Sequence, residues 1–134
     1  MNQELLDLYD KALEASKKAY APYSNFPVGA ALLLEDGSIE TGVNVENRSF
    51  GLTNCAERSA IFSAVSKGKR GFKALAVATP AAQSPVPPCG ACRQVMSEFA
   101  GPEMPVVFGA DVGHLVLTSV GELYPMDSLH DLAK

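Results

Sequence analysis

Tryptophan is absent, cysteine and histidine are scarce at three and two residues, and basic residues are outnumbered by acidic ones, 11 to 15. Each shortage closes off a class of function. A net charge of −4 is wrong for a chain that grips polynucleotide by its phosphates, and without tryptophan the best stacking platform for bases is missing. No apolar run approaches the roughly 18 residues needed to cross a bilayer. The opening Met1-Asn2-Gln3-Glu4 is polar and acidic, unlike the basic start of a secretory signal. A soluble, cytoplasmic protein with neither a membrane nor a nucleic-acid partner is therefore expected. Hydrophobic residues make up 47% of the chain, too many for disorder, and 134 residues suit one domain spanning 1–134. Three cysteines cannot close into a complete disulfide set, and Cys89 and Cys92 lie too near in sequence for an ordinary bridge. Reduced thiols that bind metal or do redox work are a better reading than buried filler.

Hydrophobic periodicity orders the rest. Leu5, Leu8, Ala12, Leu13 and Ala19 recur at helical spacing, predicting a helix over about 4–19, which the turn-rich Ala21-Pro22-Tyr23-Ser24-Asn25-Phe26-Pro27 ends. Val28 to Leu34 and Ile39 to Val45 read as two strands joined by a hairpin turn at Asp36-Gly37. Asn54 is placed to cap a second helix carrying Ala56, Ala60, Ile61, Ala64 and Val65 on one face, with Gly68 closing it. Ala74 to Ala78 has the unbroken apolar character of a central strand. Prolines at 80, 85, 87 and 88 make an irregular loop that delivers the chain to a third helix, from Cys89 to about Phe99. Pro105 to Phe108 and Leu115 to Ser119 read as strands, and Ser128 to Ala133 as a short helical tail. Helices alternating with strands after an opening hairpin predict an α/β fold, layered around one mixed sheet.

Pro88-Cys89-Gly90-Ala91-Cys92 sets two thiols at i and i+3, one face of a first helical turn, and Cys55 opens the other internal helix. Helix N-termini lower thiol pKa, so all three positions favour the thiolate that a metal needs. Three sulfurs suit zinc, with Zn–S near ~2.3 Å, and leave its fourth position open, as in catalytic rather than structural sites. His114 and His130 lack partner spacing, and ordinary solvated or packing roles fit them better than ligation. Glu57 lies two residues after Cys55. Its plain reading is a helix-start carboxylate favoured by the dipole; beside an open zinc it is a proton carrier between water and a substrate nitrogen.

At Cys55-Ala56-Glu57-Arg58 and Pro88-Cys89-Gly90-Ala91-Cys92-Arg93-Gln94 the chain resembles the small cytidine deaminases that act on free nucleosides and form homotetramers. Tyr23-Ser24-Asn25-Phe26-Pro27-Val28-Gly29-Ala30 and Gly42-Val43-Asn44-Val45-Glu46-Asn47 extend the match over residues from about 20 to 100. The resemblance implies a cytidine-deaminase-like α-β-α sandwich with a five-stranded mixed sheet, one zinc per chain, and hydrolysis of cytidine and deoxycytidine to the uridines in pyrimidine salvage. It assigns zinc to Cys55, Cys89 and Cys92, and to Glu57 the proton transfers from water to N3 and the leaving ammonia. Asn44 and Glu46 become ribose ligands, Phe26 an apolar wall, and the Ala56 backbone a contact to the pyrimidine carbonyl. The plain alternatives are turn residues for Asn44 and Glu46 and core for Phe26.

Three thiolates and Zn²⁺ sum to −1, so a nearby cation is needed to preserve Lewis acidity; the resemblance gives Arg58 that task, with Gln94 as similar support and Arg93 more plainly a surface residue. Two departures stand out. Arg48 replaces a small residue of the family, and Leu123-Tyr124-Pro125-Met126-Asp127-Ser128 lacks an aromatic the family often carries. In the tetrameric family both regions serve a neighbouring chain's pocket, which marks Arg48 and Phe50 as candidates there. Arg48 would then tolerate a polar or anionic substituent, unless it simply faces solvent and Tyr124 or Met126 closes the pocket. Rival functions are a polynucleotide editor, disfavoured by charge; a non-catalytic zinc module, which requires neither Glu57 nor an open position; and a deaminase of a modified cytosine nucleoside, such as a blasticidin-type aminonucleoside.

Overall fold

A computed structural model of the chain describes residues 1–129. It contains α1 (Gln3–Ser16), β1 (Gly29–Leu34), β2 (Ile39–Val43), a 3-10 turn (Phe50–Leu52), α2 (Ala56–Ser66) and β3 (Phe72–Ala78). The chain continues through α3 (Gly90–Phe99), β4 (Pro105–Gly109), β5 (Val116–Ser119) and the one-turn α4 (Val120–Leu123). The strands form one five-stranded mixed sheet, as expected; its order is β2-β1-β3-β4-β5, with only β3 and β4 parallel. The parallel pair follows from α3, which crosses between β3 and β4 as a βαβ unit requires.

The predicted hairpin is present. Gly37 takes a positive φ of 87°, and the Asp36 carboxylate accepts hydrogen bonds from the Ser38 amide and hydroxyl, fixing the turn. All six residues of β1 are buried, because both of its faces are covered. Ala31, Leu33, Ala74, Ala76, Ala78 and Val107 meet Leu5, Leu8, Tyr9 and Ala12 of α1 on one face. Ala30, Leu32, Leu34, Leu75, Val77, Val106 and Phe108 meet α2 and α3 on the other. The strict alternation is the period-2 geometry of strands, and it makes the three-layer sandwich. The buried Tyr9 hydroxyl donates to the Gly109 carbonyl at 2.8 Å, pinning α1 to the end of β4.

Three local expectations change. The first helix ends at Ser16, three residues early, because Tyr20 is drawn into a bridge with Val45. β2 stops at Val43, since residues 44–46 leave β1 to lie between Tyr20 and Asn54. Cys55, not Asn54, occupies the N-cap of α2; the Asn54 amide instead donates to Ser59 Oγ at 3.2 Å. The one-turn α4 has too short a pattern to declare itself in sequence. Of the predicted tail, Ser128 lies in a turn and residues 130–133 fall outside the described residues.

Candidate metal centre and active site

Cys55 and Cys89 are the N-caps of α2 and α3, both extended, with φ/ψ of −77°/155° and −67°/166°. Neither sulfur is spent on capping, while both carbonyls accept first-turn helical bonds, from Ser59 and Arg93, each at 3.0 Å. The two helix starts therefore present free sulfurs to each other. Cys55 Sγ lies 3.8 Å from Cys89 Sγ, which lies 3.5 Å from the fully buried Cys92 Sγ. Zinc with tetrahedral bonds of ~2.3 Å requires sulfurs roughly 3.8 Å apart, so this donor set fits one zinc ion. All three sulfurs fall within 4.8 Å of one another.

Charge is distributed unevenly across the cluster. The Cys55 thiol is held down to about 5, first by the hydrogen bond it shares with Cys92 and then by Arg58, against the opposing effect of burial. Cys92 is pushed up, because it shares its proton with Cys55 and is itself buried. Arg58 Nη2 donates to Cys55 Sγ at 3.0 Å, and that contact holds the guanidinium even more firmly protonated than usual. Arg58 thus sits where a cation is needed. Removing it as Arg58→Ala should shift titration of the Cys55 thiol upward from about 5 in zinc-free protein, as read by thiolate ultraviolet absorbance. In zinc-loaded protein kcat/KM should fall about 10- to 100-fold, the usual range for losing a group that supports metal ligands.

Glu57 follows in the first turn of α2 and is only 4% exposed. Burial raises its carboxyl to about 7, with the Cys55 charge adding to the rise. A carboxyl with that value holds and releases a proton near neutrality.

A second cluster lies alongside. Residues 44–46 form a short extended strap: Tyr20 N–H donates to the Asn44 carbonyl and Glu46 N–H to Tyr20, while Val45 and Asn54 exchange two bonds at 2.9 and 3.0 Å. Because alternate residues of an extended segment share a face, Asn44 and Glu46 point the same way, one residue removed from the segment that ends in Cys55. The buried Asn44 amide accepts from Val28 N–H at 2.9 Å and donates to the Phe26 carbonyl at 2.8 Å. Ala56 is fully buried at the start of α2, where first-turn N–H groups lack helical partners.

Glu46 borders a cavity of about 420 Å³ lined by Tyr23, Ser24, Glu46, Phe50 and Thr53. Phe50 is 74% exposed, and its ring lies 5.8 Å from that of Tyr23. Arg48 is exposed and is not part of this lining. A larger cavity, about 780 Å³, lies at the far end of α3 beside Ala100, Pro102, Val120, Tyr124 and Met126, and no metal ligand lines it. Neither Tyr124 nor Met126 lines the cavity beside Glu46.

The support expected from Gln94 is not found at the sulfurs. Its amide faces away, donating to Ser97 Oγ at 3.2 Å and accepting from the Tyr124 hydroxyl at 2.7 Å. Arg93 is no idle surface residue: it donates to the Pro88 carbonyl at 2.8 Å and the Leu123 carbonyl at 2.9 Å, tying the loop before Cys89 to the C-terminal segment. Its place one residue after Cys92 was the only sequence signal for that role.

Residues 2–109 match the family model for the cytidine and deoxycytidylate deaminase zinc-binding region. The chain belongs to this deaminase family. The cytidine deaminase of Sporosarcina psychrophila is 52% identical over 118 residues, spanning 88% of this chain and 86% of that relative. The crystal structure of cytidine deaminase from Burkholderia pseudomallei superposes with a TM-score of 0.86 at 50% identity, covering 93% of this chain and 98% of that one. The blasticidin-S deaminase of Bacillus cereus is more distant, 35% identical over an aligned 133 residues that span 94% of this chain and 93% of its own. In this family member, Cys55, Cys89 and Cys92 are placed to hold the zinc that the family region binds.

Proposed function

We propose that the chain, as a single domain over residues 1–134, catalyses zinc-dependent hydrolytic deamination of cytidine and 2′-deoxycytidine to the uridines, releasing ammonia. The observation that carries this reading is a buried carboxyl, raised to about 7, in the first turn of the helix capped by Cys55, whose sulfur converges with those of Cys89 and Cys92 to supply three of the four positions zinc takes. When bound, zinc supplies a Lewis-acid position that polarises water for attack on C4 of the base. Glu57 takes one proton from the attacking water and delivers it to N3, then takes the remaining proton from the new C4 hydroxyl and passes it to the departing amine, so water and cytidine balance to uridine and ammonia. The N–H of Ala56 meets the pyrimidine carbonyl, Phe26 walls the base, and Asn44 and Glu46 receive the sugar hydroxyls. Purified protein should deaminate cytidine, followed by ultraviolet absorbance, with about one zinc per chain. Bound zinc without turnover would overturn the substrate assignment.

The likeness to a blasticidin-S deaminase favours a second reading, deamination of a modified cytosine nucleoside. Relative kcat/KM for cytidine, CMP and a blasticidin-type nucleoside separates the two, and strong preference for cytidine removes the second. We further infer a cytoplasmic homotetramer acting in pyrimidine salvage, with Arg48 and Phe50 reaching a neighbouring chain's pocket. In support, Phe50, Leu52 and Phe62 remain exposed on and just before α2, an apolar surface better explained by a partner chain than by water. A solution mass of four times 14.1 kDa by light scattering is expected, and a monomer would remove this part.

A further inference from the structure

We propose that Ser24 is a positioning residue for the sugar end of the substrate, holding the Glu46 carboxylate and the Phe26 backbone in one fixed relation through a single hydroxyl. The proposal rests on the deaminase reading above and adds a residue to it. Ser24 Oγ donates to Glu46 Oε2 at 2.5 Å and accepts from Phe26 N–H at 3.0 Å. The other carboxylate oxygen, Oε1, accepts from the amides of Tyr23 at 2.9 Å and Ser24 at 3.1 Å. Phe26 is gripped from the opposite side as well, since its carbonyl accepts from Asn44. The turn between them places Asn25 at φ 55°, a left-handed conformation that asparagine tolerates better than most residues.

The consequence is a count of acceptor positions. An ionised carboxylate offers about four lone-pair sites, and three are filled by Tyr23, Ser24 N–H and Ser24 hydroxyl. About one remains for a donor from the substrate, beside the cavity of about 420 Å³ that Glu46 and Ser24 both line. One unfilled acceptor next to a fixed base wall selects a single sugar hydroxyl in a set place. The Ser24 hydroxyl is also the leading cause of the low pKa of Glu46, which keeps it an acceptor. Without that hydroxyl Glu46 Oε2 loses the donor that sets its position, leaving the carboxylate held through Oε1 alone, and Phe26 N–H loses its acceptor.

The test compares cytidine with 2′,3′-dideoxycytidine, which keeps its 5′-hydroxyl but lacks the 2′ and 3′ hydroxyls that the Glu46 carboxylate would receive. In Ser24→Ala, KM for cytidine should rise about tenfold with kcat little changed, while dideoxycytidine is nearly unaffected, so discrimination between them falls about tenfold. Ser24→Thr keeps the hydroxyl and should restore both values. Combined with Glu46→Gln, the loss should be non-additive, because Ser24 acts through Glu46. Ser24 is exposed and outside the helices and strands, so zinc content and melting temperature should match wild type. Unchanged discrimination in Ser24→Ala, equal losses on both nucleosides, or additive losses with Glu46→Gln would overturn the proposal alone. A wild-type protein that turns over no cytidine would overturn the deaminase reading and this proposal with it.

Discussion

Glu57→Gln is expected to lower kcat for cytidine by about 10³-fold or more while the protein keeps one zinc per chain. Glutamine matches the volume of the carboxyl and fills the same buried space but cannot take a proton, so the variant isolates proton transfer from packing. The wild-type carboxyl is buried and is raised to about 7 chiefly for that reason; it passes between its two forms within the neutral range. In the proposed mechanism the carboxylate picks up a proton twice, from water and from the C4 hydroxyl, and gives one up twice, to N3 and to the leaving amine, and each step needs that passage. The metal is a separate matter, because the sulfurs of Cys55, Cys89 and Cys92 already converge without Glu57. Zinc content by atomic absorption and turnover by ultraviolet absorbance therefore separate the roles. Activity within tenfold of wild type would mean that another group carries the proton. Loss of zinc with activity would make Glu57 a ligand. Thermal stability should be kept or rise slightly, since a group that resists ionisation in place is replaced by a neutral one.

The sulfur cluster was legible because its parts are local. A spacing of three puts Cys89 and Cys92 on one helical face whatever the fold does, and the apolar pattern after residue 55 announces that a second helix begins there. The burial of β1 and β3 on both faces was legible in their unbroken apolar runs. What sequence did not disclose depends on partners far along the chain. Ser24 looks like one more turn residue until Glu46, 22 positions later, arrives to accept its proton. Gln94 looked like a neighbour of the thiolates until Tyr124, 30 positions on, claimed its carbonyl oxygen. Asn54 was a sound capping candidate by type, but its backbone is committed to Val45, which leaves Cys55 to start the helix and frees the sulfur. The same bridge explains why β2 ends at Val43. Local propensity yields where a long-range pairing builds the site.

Two glycines on opposite faces of the sheet should separate stability from catalysis. A Cβ on Gly29 would run into the Ala12 carbonyl and come within 2.5 Å of Ser16 N, both on α1. A Cβ on Gly42 would run into Ala60 N and lie 2.6 Å from the Ala56 carbonyl, both on α2. Backbone cannot swing aside as a side chain does, so each alanine must push a whole helix off the sheet. Both Gly29→Ala and Gly42→Ala are expected to cost about 1–3 kcal/mol or more, measured by denaturant unfolding. Their effects on turnover should differ. α1 carries none of the zinc ligands and not Glu57, so Gly29→Ala should retain kcat at temperatures where it remains folded. α2 begins with Ala56 and Glu57 and is capped by Cys55, so the clash at Gly42 falls on the turn that sets the proposed proton carrier beside the sulfur cluster. A displacement on the order of 1 Å there costs about 100-fold in rate. Gly42→Ala should accordingly lose kcat along with stability, and equal kcat in the two folded variants would mean that α2 absorbs the added methyl without moving its first turn.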